Sequence, residues 1–519
     1  MKKATMIFVL LSVILMGICF AHGEGLKGQS TDSGAEVKYI VAPKGDYFEV
    51  QAEISNLHRD KIKVVFPDSC AGVDRLSDRI SGFRALTQEG KEIASEHSGN
   101  VYLLNADRQP NIILKYELHP NAIKHDFHLV TLASTYLHIP GDNFAVELYD
   151  EQDQRLDEND AFKVKFSSLP NGWEPITTYP LSNDGFIMVE DYHEALIHAG
   201  EYEKHSFEVG GSEFIIAADK ALRFDIKPLL GDIMRILQDF YTAFGKVSHS
   251  KVLIVINQGK EGNAFSRYSG AQVKTNNIIN EFAGFNRNNQ GQLKARVLDH
   301  FAHECFHLWM PEEFNIADNW SWFWEGFADY KKYQVLKKLD IISQQDFENT
   351  IKYNIYARYY GSKYKDEVSL VAISTEKGDF SEYGRLMYDK GAVVAYLFDK
   401  ELQKQNRDID GFLKKLYQEY ALPKKPLGNK ELLTFMEQEL GNDTFTKNYI
   451  LGTVPLPVET PFFFKYYALA SPYLPPIAFP WNVLLPITVL VVLGLLLWLT
   501  IKGIIFIFRL KRKGSKQTA

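Results

Sequence analysis

Three cysteines in 519 residues are too few for a framework of disulfide bridges, so stability must come from a buried core. Cys19 falls in an apolar N-terminal run, which leaves Cys70 and Cys305. A bridge between those two would tether a helix-patterned motif, and none is expected. Basic charge is also short: 58 Lys and Arg stand against 65 Asp and Glu, a net charge of -7. That removes the electrostatic footprint of a nucleic-acid binder. No internal repeat and no low-complexity tract is present. "KEGN" and "GGSE" lack the strand–loop–helix setting of a phosphate cradle, and "EPITTYPLSND" holds a serine without a nucleophile elbow.

Long hydrophobic runs occur only at the two ends. The start, "MKKATMIFVLLSVILMGICFAHGEG", has two lysines, an apolar run and small residues at Ala21 and Gly23, the pattern of a secretory signal over residues 1–23. Near the other end, Val483 to Ile501 carries no charge. As a helix it would span about 28 Å, the thickness of a bilayer's hydrocarbon core. A transmembrane helix is therefore expected over 482–508. The basic "RLKRKGSK" after it places the tail, 509–519, on the cytoplasmic side. The expectation is a single-pass cell-membrane protein whose main body is extracytoplasmic.

Between these ends, short alternating runs such as "YFEVQAEI" and "NIILKYEL" are broken by Asn, Asp, Gly or Pro. They predict an antiparallel, sandwich-like β domain over 30–172, leaving through the turn "LPNGW". Helical spacing follows in "DIKPLLGDIMRILQDFYTAFG", from Glu325 to about Tyr360, from Leu386 to Leu402, and in "GNKELLTFMEQELG", with Asn429 as its cap. "KVLIVIN" reads as a short buried strand. The whole is a multidomain α+β chain, with a Pro- and aromatic-rich linker at 459–481.

The chemistry concentrates in "LDHFAHECFHLWM". His303 and His307 stand at i and i+4, so a helix points both imidazoles from one face and lets them reach one Zn²⁺ at about 2.0–2.1 Å. Glu304, about 100° further round the helix, sits beside such an ion and can take a proton from the water it activates. The third ligand is expected from Glu325 in "WSWFWEGFADY". Asp329, one turn on, is in position to accept the free N–H of a ligand histidine. His300 reads as a helix-surface or supporting residue, and the tryptophans around the motif as core.

These motifs, with "LMYDKGAVVAYLFDKEL", resemble the gluzincin zinc metallopeptidases, above all the glycyl aminopeptidase family and more distantly the aminopeptidase N and thermolysin families. The resemblance runs from the β domain to "YILGTVPLP". It implies a thermolysin-like, mostly helical catalytic domain over 173–458 with one zinc ion on His303, His307 and Glu325, and Glu304 as general base. No histidine follows His307, so the oxyanion donor used in thermolysin is missing. The resemblance instead points to Tyr388 in Tyr-Asp-Lys-Gly, with Tyr383 behind it. Where relatives hold the substrate's amino group with a Glu, this chain has "YSGAQVKT", and Gly270, Ala271 and Gln272 are the corresponding substrate-binding positions. An amide there weakens the grip on an ammonium group.

Two functions follow from these residues. One is a membrane-anchored zinc metallopeptidase, possessing or lacking aminopeptidase preference, acting on a peptide or protein. The other is a zinc-binding pseudo-peptidase that serves as a scaffold. The oligomeric state has no signature in the sequence.

Overall fold

The computed structural model describes residues 34–458 except 71–72, 121–128, 158–159, 260–267, 275, 284–289 and 376–382, together with four isolated positions, 490, 493, 498 and 502. The expected signal segment, linker, transmembrane helix and tail lie outside the described residues apart from those four positions. Among the described residues no helix is long and apolar enough to cross a membrane.

The N-terminal region is built of strands whose side chains alternate in burial. Tyr47–Ser55 turns Phe48, Val50, Ala52 and Ile54 inward and leaves Glu49 out in water. It pairs antiparallel with Glu36–Lys44 and Asn111–Leu118 at the centre of a seven-stranded sheet. The sheet is not purely antiparallel, because Glu36–Lys44 runs parallel to Phe162–Phe166. Two four-stranded sheets close over it, and Val41, Phe48, Ile62, Leu104, Leu137 and Ile197 from all three sheets share one core.

This region does not end at 172. "LPNGW" is a tight turn inside it, with Gly172 at φ +85° and Trp173 N–H donating to the Pro170 carbonyl. Beyond the turn, Ile187–Val189 joins the seven-stranded sheet and Leu196–Gly200 pairs with Tyr136–Pro140. The turn residues look the same whether a chain leaves a domain or merely reverses within it.

Next comes a five-stranded sheet of β1 (Tyr202–Val209), β2 (Ser212–Asp219), β3 (Lys251–Gln258), β4 (Tyr268–Lys274) and β5 (Asn277–Ala283), in the order β1-β2-β3-β5-β4. The inner strands run parallel and both edges antiparallel. "KVLIVIN" forms β3 and is buried on both faces, as parallel strands are. One face, with Val252, Ile254, Ile256 and Ile278, packs on the helices. The other, with Leu253, Val255 and Ile279, packs on Tyr136, Ile176 and Leu196 of the first region.

The described residues include five helices of twelve or more residues: α1 (Lys227–Phe244), between β2 and β3, and after the sheet α2 (Gln290–His307), α3 (Ser321–Lys338), α4 (Arg385–Gln403) and α5 (Asn429–Leu440). The helical stretch expected from Glu325 to Tyr360 is interrupted. Asp340 adopts a left-handed conformation at φ 57°, and Ser343 then caps a new helix by accepting the Asp346 N–H. Asn429 is the first residue of α5 rather than its cap. Its N–H donates to Asp318 Oδ1, while Glu431 accepts the Gly428 N–H. No disulfide joins Cys70 and Cys305.

Candidate metal centre

The paired motifs sit on α2 and α3, which pack against each other. His307 is the last residue of α2, so both imidazoles project from its final turns, where the helix dipole favours a cation. His303 Nδ1 lies 3.0 Å from Asp329 Oδ1, and His307 Nδ1 lies 2.9 Å from the Met310 carbonyl oxygen. A carbonyl can only accept, as can an ionised carboxylate, so both Nδ1 atoms carry the proton and both Nε2 atoms turn toward the interior. The Nε2 atoms stand 3.2 Å apart, and Glu325 Oε2 is 3.3 Å from that of His303 and 3.6 Å from that of His307.

That arrangement fits a zinc ion. Tetrahedral ligands at about 2.0–2.1 Å from one centre stand roughly 3.3 Å apart, and the three separations here bracket that value. The donor atoms all lie within 4.8 Å of one another. Glu325 Oε2 is buried with no partner in hydrogen-bond geometry, an orphaned acceptor between two imidazoles. Electrostatics agree. Burial alone would lower the His303 pKa, but the neighbouring carboxylates of Asp329 and Glu325 outweigh it and raise it to about 10. Burial opposes ionisation of Glu325 as well, yet His307 and His303 hold its carboxyl well below the usual range. The negative charge gathered here is what a divalent cation would neutralise.

Glu304 is buried next to this cluster. His300 is not on the surface: its Nδ1 is 3.8 Å from Glu304 Oε1, and the edge of its ring meets that of Phe282. Burial lowers its pKa more than Glu304 raises it, so the ring is neutral near neutral pH. Tyr388, on α4, lies with its ring 6.0 Å from that of His303 and inclined by 28°. Burial, then the charges of Glu325 and Glu304, push its phenol well above the usual pKa, which keeps it a hydrogen-bond donor. Tyr383 packs instead against Tyr364, the rings 4.7 Å apart and tilted by 39°.

The rest of Tyr-Asp-Lys-Gly fastens the helix. Asp389 takes a two-pronged contact from Arg358, and Lys390 Nζ donates to the Val368 carbonyl. Gly391 abuts Gly326 of α3, where a Cβ on Gly391 would stand 2.6 Å from the Trp322 carbonyl oxygen and 2.8 Å from Gly326 Cα. Gly270, Ala271 and Gln272 lie on edge strand β4, in register with Glu281, Asn280 and Ile279 of β5, and β4 packs against α2. Trp320 and Trp322 are core residues, their indole N–H groups donating to the Leu427 carbonyl and to Asn429 Oδ1.

Three features had weak or no signal in the sequence. The Met310 carbonyl is backbone and has none. Lys332 and Asp299 extend the Asp329 contact: Lys332 Nζ is 2.8 Å from Asp329 Oδ1 and 3.1 Å from Asp299 Oδ1. Their helical spacings from Asp329 and His303 were the available clue.

Fold and donors together define a class: a β-rich region backed onto a helical one that carries a His-His-Glu triad with both histidines buried. No family model and no curated protein matches the chain. Among solved structures it is similar to an aminopeptidase N family protein from Idiomarina loihiensis, with a TM-score of 0.68 and 16% identity, over 81% of this chain and 76% of that one. An M1 zinc metallopeptidase from Deinococcus radiodurans gives a TM-score of 0.47 at 14% identity, over 82% of this chain and 97% of that one. The first likeness establishes the fold, in keeping with the gluzincin resemblance of the motifs.

Proposed function

We propose that this chain is a zinc peptidase, tethered to a membrane by its C-terminal apolar segment and facing away from the cytoplasm. The observation that carries the reading is the convergence of two Nε2 atoms and an orphaned carboxylate oxygen, with both Nδ1 protons held from behind. Zinc bound by His303, His307 and Glu325 supplies Lewis acidity toward a water and a scissile carbonyl. Glu304 takes the proton of the attacking water and returns it to the departing amine. Tyr388 donates its O–H to the oxygen that gains negative charge at the carbonyl. An extended peptide has the edge of β4 beside α2 to pair with, where Gly270, Ala271 and Gln272 lie.

The test is direct. Metal content is measured on the purified full-length protein, and a mixed peptide library is digested with and without chelator. Chelator-sensitive cleavage by the unsubstituted protein, lost in Glu304→Gln with zinc retained, is expected. Zinc binding without cleavage of any peptide would establish the scaffold function instead. Acetylating the peptide N-termini then separates an aminopeptidase, which stops, from an endopeptidase, which continues.

A further inference from the structure

The contacts between α2 and α3 form a ladder. The helices run antiparallel, and residues one turn apart on each meet in sequence: His307 and His303 with Glu325, His303 with Asp329, and Asp299 with Lys332. Glu325, Asp329 and Lys332 follow at i, i+4 and i+7 on α3, and Asp299, His303 and His307 at i, i+4 and i+8 on α2. The first rungs hold the candidate ion and its supporting carboxylate. The last has no place in the proposed chemistry.

Lys332 Nζ lies between two carboxylates, 2.8 Å from Asp329 Oδ1 and 3.1 Å from Asp299 Oδ1. The three side chains are only 11 to 14% exposed. Asp329 Oδ1 is the same atom that faces His303 Nδ1. Without an ammonium group there, two nearly buried carboxylates on facing helices would repel, and Asp329 would lose the contact that holds it toward His303. We propose that Lys332, braced by Asp299, is a positioning residue for the metal centre. It fixes Asp329 against His303 and so sets the orientation of His303 Nε2 and the affinity for zinc. This assignment rests on the zinc-peptidase reading.

A plain staple between two helices would use the same ion pairs, and zinc affinity separates the two roles. Zinc dissociation constants are measured by chelator competition on the full-length protein for the unsubstituted chain, Lys332→Met and Asp299→Asn, with thermal unfolding of each metal-free form alongside. Changes to groups that orient metal-binding histidines weaken affinity by about 10- to 100-fold. Lys332→Met is expected in that range. Asp299→Asn, which leaves the Lys332–Asp329 contact in place, is expected to be weakened by less. It also carries the test if Lys332→Met fails to fold. Unchanged zinc affinity in the folded variants, whatever their unfolding temperatures, would overturn the assignment and leave a staple. Absence of zinc binding by the unsubstituted protein would overturn the peptidase reading and this assignment together.

Discussion

In the proposed mechanism, Tyr388 and Glu304 divide the work at the level of single atoms. Tyr388 differs from phenylalanine by one hydroxyl, and its ring packs near His303 whether or not that hydroxyl is present. Tyr388→Phe should therefore keep the fold and the metal, while kcat falls by about 10²- to 10³-fold, the usual cost of losing one oxyanion donor. Steady-state kinetics with a zinc assay on the same sample checks this. A loss confined to KM would assign the hydroxyl to ground-state binding. The donor triad was readable because i, i+4 spacing forces two imidazoles onto one helix face, whatever surrounds them. Lys332 was not. In "DYKKY" it looks like one of two solvated lysines, and only the approach of α2 reveals that it faces Asp299 while Lys331 pairs with Asp410. His300 was legible only in part: its helix position and its place beside Glu304 fit a supporting residue, but the closeness of β5, whose Phe282 packs against it, left no sign.

Among the elements, α3 and α4 approach closely because each has a glycine at the crossing. A Cβ on Gly326 would lie 2.4 Å from Gly391 Cα, closer than packed atoms allow. This crossing brings Tyr388, three residues before Gly391, toward Glu325, the residue before Gly326. Gly391→Ala is expected to cost about 1–3 kcal/mol through overpacking and to lower activity as Tyr388 moves away. Calorimetry and kinetics on one preparation measure both, and an unshifted unfolding temperature with full activity would show that the helices adjust freely. Periodicity made the long helices legible, together with the buried strand β3. It missed the break after Lys338 because apolar spacing continues across it, and only the left-handed Asp340 and the Ser343 cap stop the helix. The start of α5 escaped in another way, since Asp318 reaches in from a loop far away in the sequence.

For the molecule as a whole, the decisive junction is the apolar face between the first β region and the five-stranded sheet. His198 lies in the strand pair that forms it, fully buried, with its Nδ1 3.2 Å from His138 Nδ1. Burial pushes the His198 pKa down to about 3. In the unfolded chain an ordinary histidine takes a proton below about pH 6.5, whereas the folded protein keeps His198 neutral until about pH 3. Its contribution is therefore intact above pH 6.5 and is lost as the pH falls from there toward 3, by at most about 1.4 kcal/mol per pH unit. Denaturant unfolding at pH 7.5 and 5 should show a larger loss for the unsubstituted protein than for His198→Gln. Equal losses would mean that the ring charges freely in the folded state. This junction was the least legible feature, because strands past residue 172 return to sheets begun far earlier, and pairing over such distances leaves no mark in local sequence.

Leu253, Val255 and Ile279 have Tyr136, Ile176 and Leu196 as their cover. A gene cut at Tyr202 would strip that cover and leave a greasy plane facing water. The leading β region of this polypeptide is thus the backing of the sheet on which the helices pack, not a passenger hung from its side.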